Sequence, residues 1–191
     1  HPAGRGEVMR QILEYLHATI SELRRAPKPV VAAVDGMAAA GGFGLAMACD
    51  LVVCSSRATF EWAYPKTGLT GAESATFLLP RLLGLRRALD MVLLNPRLDA
   101  EQALGLGLVS AVHPAERFEA GVQALTGRLA AGPAAAFAAT KALLNLASGM
   151  DRLDQHLDRE LEELVRAADG AEFAEGLDAF LEKRPARFGR R

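Results

Sequence analysis

Residues 28–50 read KPVVAAVDGMAAAGGFGLAMACD. Val30, Val31, Ala32, Ala33 and Val34 form a short apolar run without helical period. Pro29 and Asp35-Gly36 bound it, which predicts a buried strand. Ala38, Ala39, Ala40, Gly41 and Gly42 follow as a tight turn from which almost no side chain projects. Leu45, Ala46, Met47 and Ala48 then propagate a helix that opens on the glycines. The first N–H groups of a helix have no intrahelical acceptor and carry partial positive charge. A corner this bare leaves them uncovered, able to hold a phosphate, a carboxylate or a developing oxyanion.

The surrounding chain has 191 residues, 50% of them hydrophobic and 24% charged, with a net charge of −1. That suits one folded domain, or one with an appendage, and argues against disorder. There is no basic stripe and aromatic residues are few, so nucleic-acid binding lacks support. No apolar run reaches membrane-spanning length and no signal peptide is apparent. Cys49 and Cys54, the two cysteines, stand in apolar surroundings and read as buried free thiols in a reducing cytoplasm. The opening HPAGRGE has no Met and reads as a fragment or a processed piece rather than a natural start.

Upstream of the corner, Val8, Ile12, Tyr15, Leu16, Thr19, Ile20 and Leu23 fall on one face of a helix from Glu7 to Arg25. Ala26-Pro27-Lys28-Pro29 ends it and pushes the chain into extended form. Downstream, Leu51–Cys54 predicts a second strand, parallel to the first because a helix separates them. Ala58-Thr59-Phe60 predicts a third. Thr70–Leu83 reads as a helix broken or kinked at Pro80, with Thr70 and Glu73 spaced as a capping box. A helix over Leu85–Leu94 follows, then a second capping box at Asp99 and Gln102, then a strand over Val109–Val112.

From Arg117 the pattern becomes helical only: about 117–131, 133–148, 152–167 and 171–183. Pro133 suits a first helical turn. Leu153, Leu157, Leu161, Leu164 and Val165 make an apolar seam. Asp158, Arg159, Glu160, Glu162 and Glu163 read as its solvated face. These patterns divide the chain into an α/β core over residues 1–116 and a helical region over residues 117–191.

Three segments together resemble the crotonase superfamily, the enoyl-CoA hydratase/isomerase family. They are KPVVAAVDGMAAAGGFGLAMACDLVV, then FEWAYPKTGL with LPRLLGLRRALDMVLLNPRLDAEQALGLGLVSAVHP, and finally EGLDAFLEKRPARF. The resemblance implies an α/β fold: a crotonase-like ββα spiral core, here its C-terminal part, and a C-terminal α-helical trimerisation region. It also implies that the family's N-terminal part, which donates the other oxyanion N–H, is missing from this sequence. In the family two backbone N–H groups hold the thioester oxygen as an enolate develops, and one of them matches Gly41, with Ala40 and Gly42 on either side as substrate-binding positions. The alternative for Gly41 is a glycine needed only for close helix–strand packing.

Hydratases of this family use two glutamates, and the matching positions here are Gly44 and Tyr64. The aspartate of the isomerase and dehalogenase branches matches Ala72. Glu73 is the neighbouring carboxylate, either a displaced general base that moves an α- or γ-proton or the N3 partner of Thr70 in a cap. Tyr64 either donates a hydrogen bond to substrate or lines the acyl pocket. Trp62 reads as packing and Glu61 as facing solvent. His1, His17, His113 and His156 have no metal-ligand spacing. Phe43 and Gly44 stand where a serine nucleophile would be needed, and AAAGGFG lacks the dinucleotide pattern.

Near the end, Phe180 and Lys183 stand three apart on one helix face. The resemblance makes them contacts for coenzyme A, which enters as part of the substrate with no separate cofactor or metal. The alternative is an interface Phe and a Lys at a helix end. The reading that results is a lyase or isomerase acting on an acyl-CoA thioester in fatty acid metabolism. One-base chemistry is preferred to hydration, in a cytoplasmic homotrimer or hexamer without nucleic-acid or membrane partners. The other reading is a non-catalytic acyl-CoA binder or scaffold.

Overall fold

Short runs of β-compatible residues give short strands, and the chain places the first four alternately in two sheets. A computed structural model describes residues 4–189. His1 and the outermost ends of the two predicted regions lie outside the described residues. Strand β1 (Val31–Val34) is followed after Asp35-Gly36 by β2 (Met37–Ala39), helix α2 (Gly41–Ala48), β3 (Leu51–Ser55) and β4 (Thr59–Glu61). β1 pairs parallel with β3, Val31 opposite Leu51. β2 pairs parallel with β4, Ala38 opposite Phe60. Two later strands complete the sheets: β5 (Leu98–Asp99) antiparallel to β4, and β6 (Ala111–His113) parallel to β3. One sheet therefore runs β1-β3-β6 and the other β2-β4-β5. Two strands, a helix and a step into the next pair make a ββα spiral. β2 corrects the reading of Ala38 and Ala39 as turn. Ala38 is buried there, and Met37, Ala38 and Ala39 suffice to pair with Thr59–Glu61.

Helix α2 is apolar all round, as suits a helix that is mostly enclosed, with Gly42 and Leu45 left at the surface. Phe43, Gly44, Ala46, Met47 and Ala48 are buried. Helix α1 (Arg5–Arg25) buries Leu13, His17, Ile20 and Ser21, whereas Ile12 and Tyr15 are 53% and 81% exposed. The buried face is thus rotated from the predicted stripe. Its partner is α8 (Leu153–Ala168), whose Asp154 accepts a hydrogen bond from the Ser21 hydroxyl at 2.7 Å.

Helix α3 (Ala75–Leu83) begins five residues later than Thr70 and runs through Pro80 to Gly84. The proline removes one rung of the ladder. Burial of Phe77, Leu78 and Leu79 holds the helix together around it. Helix α4 (Leu85–Leu94) follows at once, and α5 (Ala100–Gly105) carries the predicted Asp99–Gln102 capping box. The C-terminal region consists of α6 (Phe118–Ala130), α7 (Ala134–Ala147), α8 and α9 (Ala171–Leu181), close to the predicted ranges. In α8, however, Glu160 is buried at 5% exposure and does not belong to a solvated face. No single helix among the described residues is long and apolar enough to cross a membrane.

Candidate active site

The corner between β2 and α2 is drawn tight by two backbone bonds. Ala40 N–H donates to the Glu61 carbonyl at 3.2 Å, and the Ala40 carbonyl accepts from Gly44 N–H at 3.1 Å. The N–H groups of Gly41, Gly42 and Phe43 therefore precede the first rung of the helix. Ala40 itself has φ 48° and ψ −121°, a conformation that suits glycine and strains an L residue. Ala40→Gly should stabilise the protein by about 1 kcal/mol, net of the extra unfolded-state freedom of glycine. Urea denaturation checks this; a loss of stability would mean that the alanine methyl packs well enough to outweigh the strain.

Facing this corner is Glu73. It does not cap a helix with Thr70. Its backbone is left-handed (φ 56°), the next residue Ser74 is left-handed as well (φ 62°), and its side chain turns inward. The Tyr64 hydroxyl donates a hydrogen bond to Glu73 Oε2 in a buried setting. Oε1 lies over Gly41, 3.3 Å from where a Cβ on that glycine would stand. Burial pushes the Glu73 carboxyl up to about 7; the Tyr64 bond opposes that rise and the charge of Glu160 adds to it. Burial and the negative charge of Glu73 push the Tyr64 phenol far above its ordinary range, so Tyr64 stays a donor. A proton acceptor poised near neutrality thus sits beside the positive end of α2.

Gly44 is fixed by the same carboxylate residue. A Cβ at position 44 would lie 2.6 Å from Glu73 Cβ and 2.9 Å from the Glu73 carbonyl oxygen. Neither neighbour can step aside cheaply, since one belongs to a strained buried backbone. Gly44→Ala should destabilise the protein by about 1–3 kcal/mol through overpacking, measured by chemical denaturation. A change within experimental error would show that the Glu73–Ser74 segment yields easily.

Tyr64 is carried on a single helical turn (Tyr64–Thr67) that starts from a left-handed Ala63. Asn95 Oδ1 accepts Ala63 N–H at 2.7 Å, and Asn95 Nδ2 donates to Glu61 Oε1 at 2.9 Å. Glu61 does not face solvent: it is 3% exposed and is paired with Lys66 and with Arg97, the latter at 3.2 Å. These ion pairs and amide bonds anchor the turn that aims Tyr64. Trp62 packs edge-on against Phe43, ring centroids 6.4 Å apart, and tilts over Tyr64 at 5.0 Å.

Phe180 and Lys183 do not share a helix face. α9 ends at Leu181, and Lys183 lies beyond it in a left-handed conformation (φ 54°). The two residues nonetheless line one cleft of about 500 Å³ together with Lys66, Arg184 and Phe188. Arg184 is engaged by Glu175 at 2.6 Å, whereas Lys183 has no acidic partner within ion-pair distance among the described residues. A larger cavity of about 650 Å³ lies against α2, α3 and α7, lined by Met47, Leu78, Phe137 and Leu144, and includes neither Gly41 nor Glu73. Cys49 and Cys54 are free thiols. Among the described residues, no group of three or more His, Cys, Asp or Glu side chains is arranged to hold a metal.

Sequence reasoning missed Glu160. Its signal was the spacing Leu153, Leu157, Glu160, Leu164, which places a carboxylate in the apolar seam of α8.

Residues 7–191 match the family model described as Enoyl-CoA hydratase/isomerase. The chain is 36% identical over 169 residues to 4-chlorobenzoyl coenzyme A dehalogenase-1 of Arthrobacter sp, covering 88% of this chain and 61% of that protein. It is 36% identical over 174 residues to 1,2-epoxyphenylacetyl-CoA isomerase of Escherichia coli K12, covering 91% and 66%. It superimposes with a TM-score of 0.91 on the crystal structure of an enoyl-CoA hydratase from Mycobacterium avium subsp. paratuberculosis K-10. That match is at 39% identity and covers 95% of this chain and 74% of the other. The chain thus spans about six tenths of the length of the first curated relative.

Proposed function

The chain belongs to the enoyl-CoA hydratase/isomerase family, and from that premise we propose that it acts on an acyl-CoA thioester by one-base proton transfer. In this reading the Gly41 N–H holds the thioester oxygen. Glu73 removes a proton from the α-carbon, or from the γ-carbon of a 2-enoyl group. The electron pair left by the C–H bond moves to the oxygen as an enolate. In an isomerisation Glu73 returns the same proton at the other carbon, so nothing is added or lost. The observation that carries the reading is the placement of Glu73 Oε1 over Gly41 with Oε2 held by Tyr64. Hydration would need a second carboxylate to activate water, and position 44 has no room for any side chain beside Glu73.

The cleft of Phe180 and Lys183 supports a site for the nucleotide end of coenzyme A, a stacking ring beside a lysine that has no acidic partner among the described residues. Coenzyme A enters as part of the substrate, and no separate cofactor is invoked. A cytoplasmic trimer or hexamer, with residues 117–191 supplying the contacts, belongs to the same proposal.

One observation favours a second reading, a non-catalytic acyl-CoA binder. Glu73 and Tyr64 are only 5% and 6% exposed, as a satisfied structural pair would be. Incubation with 2-enoyl-, 3-enoyl- and aryl-CoA thioesters separates the two by mass spectrometry and chromatography. Double-bond migration without gain of mass is the expected outcome. A product heavier by one water would contradict one-base chemistry. No turnover, together with calorimetric binding of the same thioesters, would favour the binder.

A further inference from the structure

The left-handed Glu73–Ser74 corner is held from outside its own segment. Two successive non-glycine residues at positive φ are each strained, and such strain persists only where the surroundings impose it. Local capping does not supply the restraint. Ser74 makes no side-chain cap, and its buried hydroxyl oxygen has no hydrogen-bond partner among the described residues. The restraint comes from α8. Glu160 Oε2 accepts Ser74 N–H at 2.9 Å, and Oε1 accepts Thr76 N–H at 3.1 Å and the Thr76 hydroxyl. The side chain is enclosed at 4% exposure and so is hard to displace.

We propose that Glu160 is a positioning residue for Glu73, clamping the N-terminal N–H groups of α3 so that the Glu73–Ser74 corner aims the carboxylate at Gly41. The inference rests on the reading of Glu73 as the base. A carboxylate at a helix N-terminus is favoured by the helix dipole and by charge-assisted hydrogen bonds, so the clamp is strong for one side chain. The groups that face Glu160 are His17 of α1, with Nε2 at 3.9 Å, and His156 of α8, with Nε2 at 3.6 Å from Glu160 and 2.8 Å from the Thr76 hydroxyl. Burial holds the His17 imidazole below its ordinary range, so at neutral pH it does not neutralise Glu160. The groups that face Glu73 are Tyr64, which donates to it, and Glu160, whose negative charge resists a second negative charge nearby. Removing the Glu160 charge therefore lets Glu73 ionise at lower pH, the direction opposite to its present displacement.

The test is Glu160→Gln in the full chain, read three ways. Hydrogen exchange reports the Ser74 and Thr76 amides. Carboxyl-carbon NMR, with Glu73→Gln as the reference spectrum, reports the titration of Glu73. Steady-state kinetics on the thioester that is turned over report kcat and KM separately. Expected are exchange faster by about tenfold at both amides, a Glu73 midpoint moved to lower pH, and kcat lower by at least about tenfold with KM within about twofold. A Glu73 midpoint and a kcat equal to wild type, with only the melting temperature lowered, would overturn the proposal and leave Glu160 a structural cap. If Glu160→Gln fails to fold, Glu160→Asp decides. It keeps the charge but withdraws it by one methylene, so the midpoint should stay near its wild-type value while kcat falls. Wild-type kcat in that variant would equally overturn the proposal. Should Glu73→Gln keep wild-type turnover, it is the base assignment that fails. The exchange reading needs no turnover and still decides whether Glu160 holds the Ser74 and Thr76 amides.

Discussion

Glu73→Gln should lower kcat by about 10²–10⁴-fold on whichever CoA thioester the protein turns over, while making the protein more stable at pH 8. Gln has the same shape and still accepts a bond from Tyr64, but it cannot take a proton and carries no charge. The stability effect follows from the direction of the carboxyl's displacement. Glu73 is raised from an ordinary 4.5 to about 7, chiefly by burial. The folded protein therefore holds this proton more tightly than the unfolded chain does. Native stability is greatest below the ordinary value and declines as pH rises through the window from 4.5 to about 7. Above that window an ionised carboxylate is held out of water, a penalty on the order of 3 kcal/mol at most. Urea denaturation of both proteins at pH 5 and pH 8 should show a gap in favour of the variant that is much larger at pH 8. In parallel, kcat/KM of the wild type should rise with pH through about 7 as the base ionises. Equal loss of stability at both pH values, with turnover intact, would make Glu73 a structural partner of Tyr64 and nothing more.

Gly41→Pro should lower kcat by about 10²–10³-fold, the usual effect of deleting one oxyanion donor. Position 41 is the first residue of α2, where a proline ring fits the helix and no rung of the ladder is lost. The preceding Ala40 is the risk, because proline pushes its predecessor towards extended conformations. Circular dichroism and a denaturation curve separate a lost donor from a lost corner. Gly41→Ala is the matching control. It keeps the N–H and places a methyl 3.3 Å from Glu73 Oε1, a contact that the end of a side chain can relieve. A folded Gly41→Pro protein with wild-type kcat would remove Gly41 from the oxyanion role. In the proposed mechanism donor and base act on one proton transfer, so the double variant with Glu73→Gln should be little worse than the worse single variant.

The parts of this fold that were legible in the sequence are those whose determinants are local. Val31–Val34, Leu51–Ser55 and the Asp99–Gln102 box carry their own period or their own cap, and each forms where its pattern places it. The start of α3 was misread for the opposite reason. Thr70 and Glu73 match a capping box in spacing, but the real cap is Glu160, 84 and 86 residues away along the chain from the groups it holds. A local pattern cannot compete with a buried long-range carboxylate, and local reading cannot see one. Glu61 was misplaced likewise, since its partners Lys66, Asn95 and Arg97 converge only once β4 meets β5. The turn around Gly41 could be read from its bare side chains, and its chemical meaning came from the resemblance. The pairing of Glu73 with Tyr64 needed the structure, because a left-handed Glu73 is not written in any propensity.

In the proposed mechanism Gly41 and Glu73 together generate an enolate from a CoA thioester. The most direct measurement is the exchange of α-protons of a saturated acyl-CoA with solvent deuterium at pH 8, followed by mass spectrometry with wild type and Glu73→Gln side by side. Deuterium uptake should depend on the wild-type protein and fall to background in the variant. Uptake at the same rate in both proteins, or none in wild type under conditions where the thioester is bound, would contradict that mechanism.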